Sequence, residues 1–389
     1  MFITPKIRNN ICINAHPAGC DAETKRQIEY CKSRPAKGGP KNVLVIGGSA
    51  GYGLASRITA AFCYGANTIS VAFEKEETSS KTGSPGWYNT RYFDKEAKKA
   101  GLKSLSLNGD AFSHQIKKDV CKHIKKMFGK VDLIVYSLAS GVRPDPDTGE
   151  LYRSVLKPTG ETYKAKAIDF LSGEFIDIAI DPATKEEIQA TIKVMGGEDW
   201  KLWIKALKEE NLLADGVITM AYSYIGPKLT YAIYREGSIG KAKEDLEKTA
   251  YELQDFLKDI SGNAYVSINK ALVTRASAVI PVLPLYISLL FKIMKRKGIH
   301  EGCIEQTVRL FADRLYGDGE LQLDAKGRIR LDDLEMQKDV QDEIEKSWQK
   351  LNEKNIDELC DLEGYRKDFL KLHGFSVEGI DYNLSPGKK

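Results

Sequence analysis

Asn42-Val43-Leu44-Val45-Ile46-Gly47-Gly48-Ser49-Ala50-Gly51-Tyr52-Gly53 begins with five residues that include four consecutive aliphatic ones and ends in a glycine-rich loop. Its apolar run has no polar alternation, as expected of a central parallel strand covered on both faces. Three glycines follow in the pattern Gly47-x-x-x-Gly51-x-Gly53, and Leu54 to Phe62 then reads as a helix. Strand, glycine loop and helix in that order form a dinucleotide cradle. The glycines let the backbone approach a pyrophosphate, whose charge rests on the amino end of the helix. The spacing differs from Gly-x-Gly-x-x-Gly and matches the short-chain dehydrogenase type.

Working outward, further strands are expected at Thr68 to Phe73, Ser104 to Leu107, Leu133 to Ser137, Val217 to Ala221 and Ala264 to Ile268. Helical stretches such as Ser113 to Phe128 and Lys241 to Lys258 lie between them. Alternating β and α elements imply an α/β fold, a doubly wound parallel sheet of Rossmann type, extended and short-chain dehydrogenase-like, with ligands at the carboxyl ends of the strands. Short alternating pieces such as Phe175-Ile176-Asp177-Ile178-Ala179-Ile180 suggest a small inserted β lobe or lid over about 141–185. Residues 1–297 are therefore expected to form a cofactor-binding and catalytic body. Residues 298–389 should be a mostly helical extension packed on it, with a hairpin signal between Leu321 and Arg330 and a frayed end from Ser385 to Lys389.

Composition narrows the function classes. The 389 residues are 42% hydrophobic and 29% charged, with 58 basic against 54 acidic side chains, a nearly balanced surface rather than a field for nucleic acid. Seven cysteines without a paired framework fit a reducing cytoplasm. Cys12, His16, Cys20 and Cys31 lack the close Cys-x-x-Cys knuckles of a structural zinc site, so no metal is expected. The start has no basic stretch leading into an apolar core, and cytoplasmic residence is the expectation. The long uncharged segment Ala276 to Phe291 contains Pro281 and Pro284 and is too short to span a bilayer. It reads as core helix and strand, or in part as an apolar lining for an acyl chain, with Ile287 and Phe291 as candidates.

Glu74 ends the second strand, where a carboxylate accepts hydrogen bonds from adenosine ribose hydroxyls and repels a 2′-phosphate. NADH is thereby favoured over NADPH, although Lys75 softens the discrimination. Asp110-Ala111 and Leu138-Ala139 follow the third and fourth strands, in position to contact adenine and its ribose.

The reacting groups are read from Tyr222-Ser223-Tyr224 and from Tyr234-Arg235-Glu236-Gly237-Ser238-Ile239-Gly240-Lys241-Ala242-Lys243. A phenol of ordinary pKa about 10 needs a nearby cation to become a good acid, and Lys243 is the candidate. Tyr234 and Lys243 are nine residues apart, which on one continuous helix means roughly 900° of rotation and opposite faces. Gly237 and Gly240 point instead to a tyrosine on a turn and a lysine in the first turns of a helix starting near Ile239. Tyr224 and Tyr234 compete for the role of donor. Tyr234, tied to the lysine, is read as the acid and Tyr224 as a substrate contact or second donor.

With these residues assembled, the chain resembles the trans-2-enoyl-CoA reductase family, which includes the FabV type of enoyl-acyl-carrier-protein reductase. The resemblance runs from Arg8-Asn9-Asn10-Ile11-Cys12 to Gly374-Phe375, through Gly83-Ser84-Pro85-Gly86-Trp87-Tyr88-Asn89, Val194-Met195-Gly196-Gly197-Glu198-Asp199-Trp200 and Leu272-Val273-Thr274-Arg275. The family's tyrosine and lysine, eight residues between them, fall on Tyr234 and Lys243. The resemblance implies a nicotinamide cofactor held by Gly47, Gly48, Ser49, Ala50, Gly51 and Tyr52, by Phe73-Glu74, Asp110-Ala111 and Leu138-Ala139, and by Lys243 and Leu272-Val273-Thr274, with Tyr224 touching substrate. It implies reduction of the carbon-carbon double bond of an enoyl thioester, hydride going to the β-carbon and a tyrosine facing the enolate oxygen.

An enoyl-CoA is the expected substrate. An acyl-carrier-protein thioester is the alternative, and a dinucleotide sensor without turnover the alternative from another class. A carbonyl or hydroxyl dehydrogenase is disfavoured by the nine-residue step. No second glycine-rich phosphate loop follows Gly298, so no flavin is expected, and the chain is expected to be a monomer without stable membrane insertion.

Overall fold

The computed structural model describes residues 2–8 and 10–383; the expected fraying of Ser385 to Lys389 lies outside them. In chain order, a small antiparallel pair β1 (Ile7–Arg8) and β2 (Ile11–Cys12) precedes α1 (Pro17–Lys32). Then come β3 (Asn42–Ile46), α2 (Gly51–Tyr64), β4 (Asn67–Ala72), α3 (Pro85–Lys99), β5 (Ser104–Asn108), α4 (His114–Met127) and β6 (Val131–Tyr136). The inserted lobe holds two antiparallel hairpins, β7 (Val142–Pro144) with β8 (Leu151–Arg153) and β9 (Tyr163–Ile168) with β10 (Phe175–Ile180). After it run α5 (Lys185–Met195), α6 (Glu198–Glu209), β11 (Leu213–Ser223), α7 (Ser238–Phe256), β12 (Asn263–Ile268), α8 (Leu283–Arg296) and α9 (Cys303–Arg309). The C-terminal part adds β13 (Ile329–Arg330), α10 (Lys338–Lys350), α11 (Ile356–Leu359) and α12 (Leu362–Lys371).

Seven strands form one parallel sheet in the order β13-β12-β11-β6-β3-β4-β5. Alternate residues of β3 go to opposite faces. Leu44 and Ile46 join a cluster with Trp200, Trp203 and Leu246, while Val43 and Val45 pack with Ala60, Leu310 and Phe311. Burial on both faces is why the strand reads as an unbroken apolar run. From β3 the chain winds outward through β4 and β5, then returns to the other side through β6, β11 and β12. The order therefore reverses between β3 and β6, the crevice where this architecture binds ligands.

The helices begin at residues suited to it. Ser113 caps α4, Thr184 and Glu187 make a reciprocal capping box on α5, and prolines occupy the first turns of α1, α3 and α8. His16 is the cap of α1, its Nδ1 accepting the Gly19 N–H at 3.2 Å. Among the described residues no group of three or more histidine, cysteine or acidic side chains could hold a metal ion.

Two expectations are corrected. The hairpin expected between Leu321 and Arg330 keeps only its turn, closed by Asp324 N–H to Arg328 O at 2.9 Å. Its second arm, β13, pairs in parallel with β12, because Ile329 is wholly buried against the sheet while Leu323 stays 42% exposed. The segment Ala276 to Phe291 holds no strand: a short turn of 3-10 helix precedes α8, whose first nine residues, Leu283 to Phe291, are all buried. No helix among the described residues is long and apolar enough to cross a membrane.

Candidate active site

The glycine loop is shaped by close backbone approaches. A Cβ on Gly47, whose φ is +88°, would sit 2.4 Å from Ser137 O, so this residue lets the β3 and β6 loops nest together. A Cβ on Gly53 would meet Gly47 O at 2.1 Å, which brings α2 down onto the loop. Ala50, the N-cap of α2, supplies no side-chain acceptor, so the first N–H groups of α2 remain available to an anion. Thr274, in the loop after β12, faces the outer side of Gly51, its Cγ2 3.9 Å from where a Cβ would lie. These features fit a dinucleotide pyrophosphate.

At the end of β4 the Phe73 ring is 80% exposed, and Glu74 turns inward. Ser49 Oγ donates to Glu74 Oε1 at 2.7 Å, and the Arg275 guanidinium approaches the same oxygen at 3.2 Å. Gly86 of α3 makes room for this carboxylate, since a Cβ there would lie 2.3 Å from Oε1. Asn89 Nδ2 donates to Ser49 O at 3.0 Å. The motif Gly83 to Asn89 thus buttresses the Glu74 carboxylate and the glycine loop. Ala111 O is fixed by Lys117 Nζ and Trp203 Nε1, at 3.0 and 3.1 Å, and Asp110 Oδ1 accepts the Phe112 N–H. Leu138-Ala139 follow β6, and the Leu272 carbonyl accepts Ser277 Oγ at 2.7 Å.

The turn that carries Tyr234 has the predicted construction. Tyr234 sits on a turn whose N–H groups bond back to Thr230 O and Tyr231 O, and α7 starts at Ser238. Gly237 and Gly240 are required by crowding rather than by backbone sign. A Cβ on Gly240 would stand 1.9 Å from Arg235 O, and one on Gly237 would stand 2.5 Å from Ile233 O. The inserted lobe pins the same turn. Ser238 N–H donates to Lys157 O at 2.9 Å, and Ser238 Oγ donates to Val155 O at 2.5 Å.

Lys243, two turns into α7, places Nζ 3.4 Å from Tyr222 O at the end of β11. Burial pushes its pKa down to about 8, partly opposed by Glu247 one turn along. Tyr234 is 7% exposed and its hydroxyl makes no hydrogen bond with another described residue. Burial pushes this phenol above its ordinary value, opposite to the lowering that a lysine partner predicts. The consequence is a phenol that keeps its proton. Its ring meets that of Tyr224 edge to face, centroids 5.0 Å apart.

Tyr224 is engaged elsewhere, donating to Glu335 Oε1 at 3.0 Å. Ile287 and Phe291 are wholly buried on α8, in the same apolar cluster as Tyr234, Ile239 and Leu272. The Phe291 ring packs on His300 with centroids 4.3 Å apart and lies under Lys270 Nζ. Reading the chain locally misses Glu335, Arg275 and Asn89. Of these, Asn89 and Arg275 fall within the quoted motifs, and Glu335 falls in none.

Three family models match the chain. The trans-2-enoyl-CoA reductase catalytic region matches residues 81–316, the NAD(P)H binding domain of trans-2-enoyl-CoA reductase matches 2–79, and the enoyl reductase FAD binding domain matches 323–385. A trans-2-enoyl-CoA reductase [NADH] of Treponema denticola is 57% identical over 389 residues, 98% of each chain. An enoyl-[acyl-carrier-protein] reductase [NADH] of Flavobacterium johnsoniae is also 57% identical, over 98% of this chain and 96% of its own. Among solved structures, the Clostridium acetobutulicum trans-2-enoyl-CoA reductase in complex with NADH superposes with a TM-score of 0.97 at 46% identity, over 99% of this chain and 97% of that one. The Treponema denticola enzyme in complex with NAD gives 0.96 at 56% identity, over 99% of this chain and 98% of its own.

Proposed function

Because the chain belongs to the trans-2-enoyl-CoA reductase family, we propose that it reduces the double bond of trans-2-enoyl-CoA thioesters with NADH, using Tyr234 as donor and Lys243 as its cation. The observation that carries this is the uncommitted hydroxyl of the buried Tyr234 on a glycine-built turn that leads into α7, whose Lys243 reaches the carboxyl end of β11 at Tyr222 O.

When bound, NADH supplies the hydride that reaches the β-carbon. The residues of the chain do the rest. Gly47 to Tyr52 and the first N–H groups of α2 take the pyrophosphate, Glu74 the adenosine ribose, and Phe73, Asp110-Ala111, Leu138-Ala139 and Leu272-Val273-Thr274 the remaining cofactor surface. Lys243 holds the nicotinamide ribose and sets a positive field near the thioester oxygen. As charge builds on that oxygen, the Tyr234 hydroxyl donates to it, acting where charge develops. Tyr224 borders the substrate, and Ile287 and Phe291 of α8 line the acyl end.

A carrier-protein thioester is the second reading, favoured by the equal identity to the Flavobacterium johnsoniae enzyme. Among the described residues, 323–383 make no second dinucleotide cradle. Its two-residue strand leads into no glycine loop, Asp361 already caps α12 by accepting the Gly364 N–H, and Val340, Ile344, Tyr365 and Phe369 face the core. We therefore propose no flavin. The described part of the extension, 298–383, returns β13 to the sheet of the catalytic body. We read the protein as a cytoplasmic monomer. Loss of NADH absorbance with a series of enoyl-CoA thioesters and the matching carrier-protein thioesters tests the assignment. Turnover of neither class rejects it, and preference for the carrier-protein series replaces CoA.

A further inference from the structure

Glu335 lies in the segment between β13 and α10, far from any motif, and is wholly buried. All of its polar capacity is directed at the active-site wall. Oε1 accepts the Tyr224 hydroxyl at 3.0 Å and the Tyr286 hydroxyl at 2.7 Å, and Oε2 accepts the Ala271 N–H at 2.7 Å. The backbone around it is tied as well, since Gln341 Nε2 donates to Glu335 O at 2.7 Å. Lys270, 2% exposed, stabilises the negative charge against the burial that raises the carboxyl's pKa. A carboxylate taken out of water this completely is costly unless each oxygen is paired, and here each is.

A phenol carries a single proton. Tyr224 gives its proton to Glu335 and cannot offer it to a thioester oxygen at the same time. Tyr234, whose ring stands edge to face against Tyr224, has its proton free. We propose that Glu335 is a positioning residue for the reduction: by holding the Tyr224 proton it assigns donation to Tyr234 and locks the ring against which Tyr234 is aimed. The inference rests on the reading of Tyr234 as donor. It also gives the C-terminal region a task in the active site that needs no cofactor of its own.

The experiment uses the full chain with NADH and crotonyl-CoA, in Glu335→Gln, Tyr224→Phe and the double variant. Glutamine keeps the volume and an oxygen for Ala271 N–H, but turns an NH2 group toward the tyrosines, so the Tyr224 hydroxyl must accept and its proton swings away. Each single variant lowers kcat about tenfold, as for loss of one hydrogen bond to a charged group, with the NADH dissociation constant unchanged. Because Glu335 acts through Tyr224, the double variant falls no further than about twofold below the lower single. Multiplying losses, or an unchanged kcat in Glu335→Gln, overturn the proposal. If Glu335→Gln does not accumulate as folded protein, Tyr224→Phe decides alone, and wild-type kcat there overturns it too. Tyr234→Phe, run alongside, tests the donor reading separately: full turnover in that variant rejects the reading itself rather than the role of Glu335.

Discussion

Arg275, on the loop after β12, pairs with Glu74 at the end of β4, its Nη1 3.2 Å from Oε1, while Ser49 Oγ holds the same carboxylate oxygen at 2.7 Å. The loop after β12 and the end of β4 are thus joined through the acid proposed to meet the adenosine ribose. With Glu74 at that ribose, the pair would both favour NADH and limit the preference. A carboxylate beside a 2′-phosphate is repulsive, yet a guanidinium held on that carboxylate offsets part of the repulsion and is itself a phosphate ligand. Glu74→Ala should therefore narrow the NADH over NADPH ratio in kcat/KM by about tenfold, a change of ~1.4 kcal/mol. Adding Arg275→Ala should restore much of the ratio by weakening NADPH. No movement in Glu74→Ala removes the carboxylate from cofactor discrimination.

Tyr234→Phe keeps the ring that packs on Tyr224 and deletes only the hydroxyl. Since that hydroxyl makes no hydrogen bond with another described residue, its loss leaves no orphaned partner and the fold should be unaffected. The expected result is a fall in kcat of about 10²- to 10³-fold with little change in NADH affinity, as for removal of one donor to a developing oxyanion. Steady-state kinetics beside NADH fluorescence titration measure both quantities. A loss of NADH affinity matching the loss of turnover would recast Tyr234 as a cofactor contact.

The pH dependence follows from Lys243. With its pKa lowered to about 8 from an ordinary 10.5, the side chain is a cation below about pH 8 and neutral above. The field at the thioester oxygen then weakens, so kcat/KM for the enoyl thioester should fall as pH rises through that value. Unfolding does not explain such a fall. Between about pH 8 and 10.5 the unfolded chain holds a proton on this lysine that the folded chain lacks, so this group's contribution to stability rises with pH. Lys270 is also pushed down to about 8 by burial, so the limb needs assignment. Lys243→Met should lower kcat/KM by roughly 10²-fold and erase the limb. A limb that survives in that variant belongs to Lys270.

Much of this arrangement was legible in the sequence. Six of the seven sheet strands are legible, the inner ones from the apolar residues that burial on both faces demands and the half-buried edge strand β5 from its Ser-Leu alternation, and the glycine loop is local by construction. The placement of Tyr234 on a turn with Lys243 beyond it could be read from Gly237 and Gly240. Hidden features are those made by distance in sequence. Tyr224 and Glu335 are 111 residues apart, and Glu74 and Arg275 are 201 apart. No periodicity couples them, and Glu335 follows Asp332-Asp333-Leu334 like any solvated acid. β13 escaped notice because two residues carry no pattern, and the alternation around them suggested a local partner rather than the edge of the sheet.

Helix α8 provides the last test. Its residues Leu283 to Phe291 are all buried, and they pack in one cluster with Tyr234 and Leu272, whereas its far end carries the exposed Lys292. A lining role and a purely structural role for Ile287 make different demands. If Ile287 borders the acyl end, Ile287→Phe shortens the space, so kcat/KM should fall about tenfold or more for longer chains and hardly at all for crotonyl-CoA. If it is only core, the larger ring overpacks the helix and costs about 1–3 kcal/mol of stability with no bias among substrates. Phe291 offers the converse change. Phe291→Ala opens volume against His300 and beneath Lys270, and as a lining residue it should extend the accepted chain length. Chain-length profiles of both variants, taken with their thermal midpoints, separate the two outcomes. A lower midpoint with an unaltered profile assigns both side chains to packing alone.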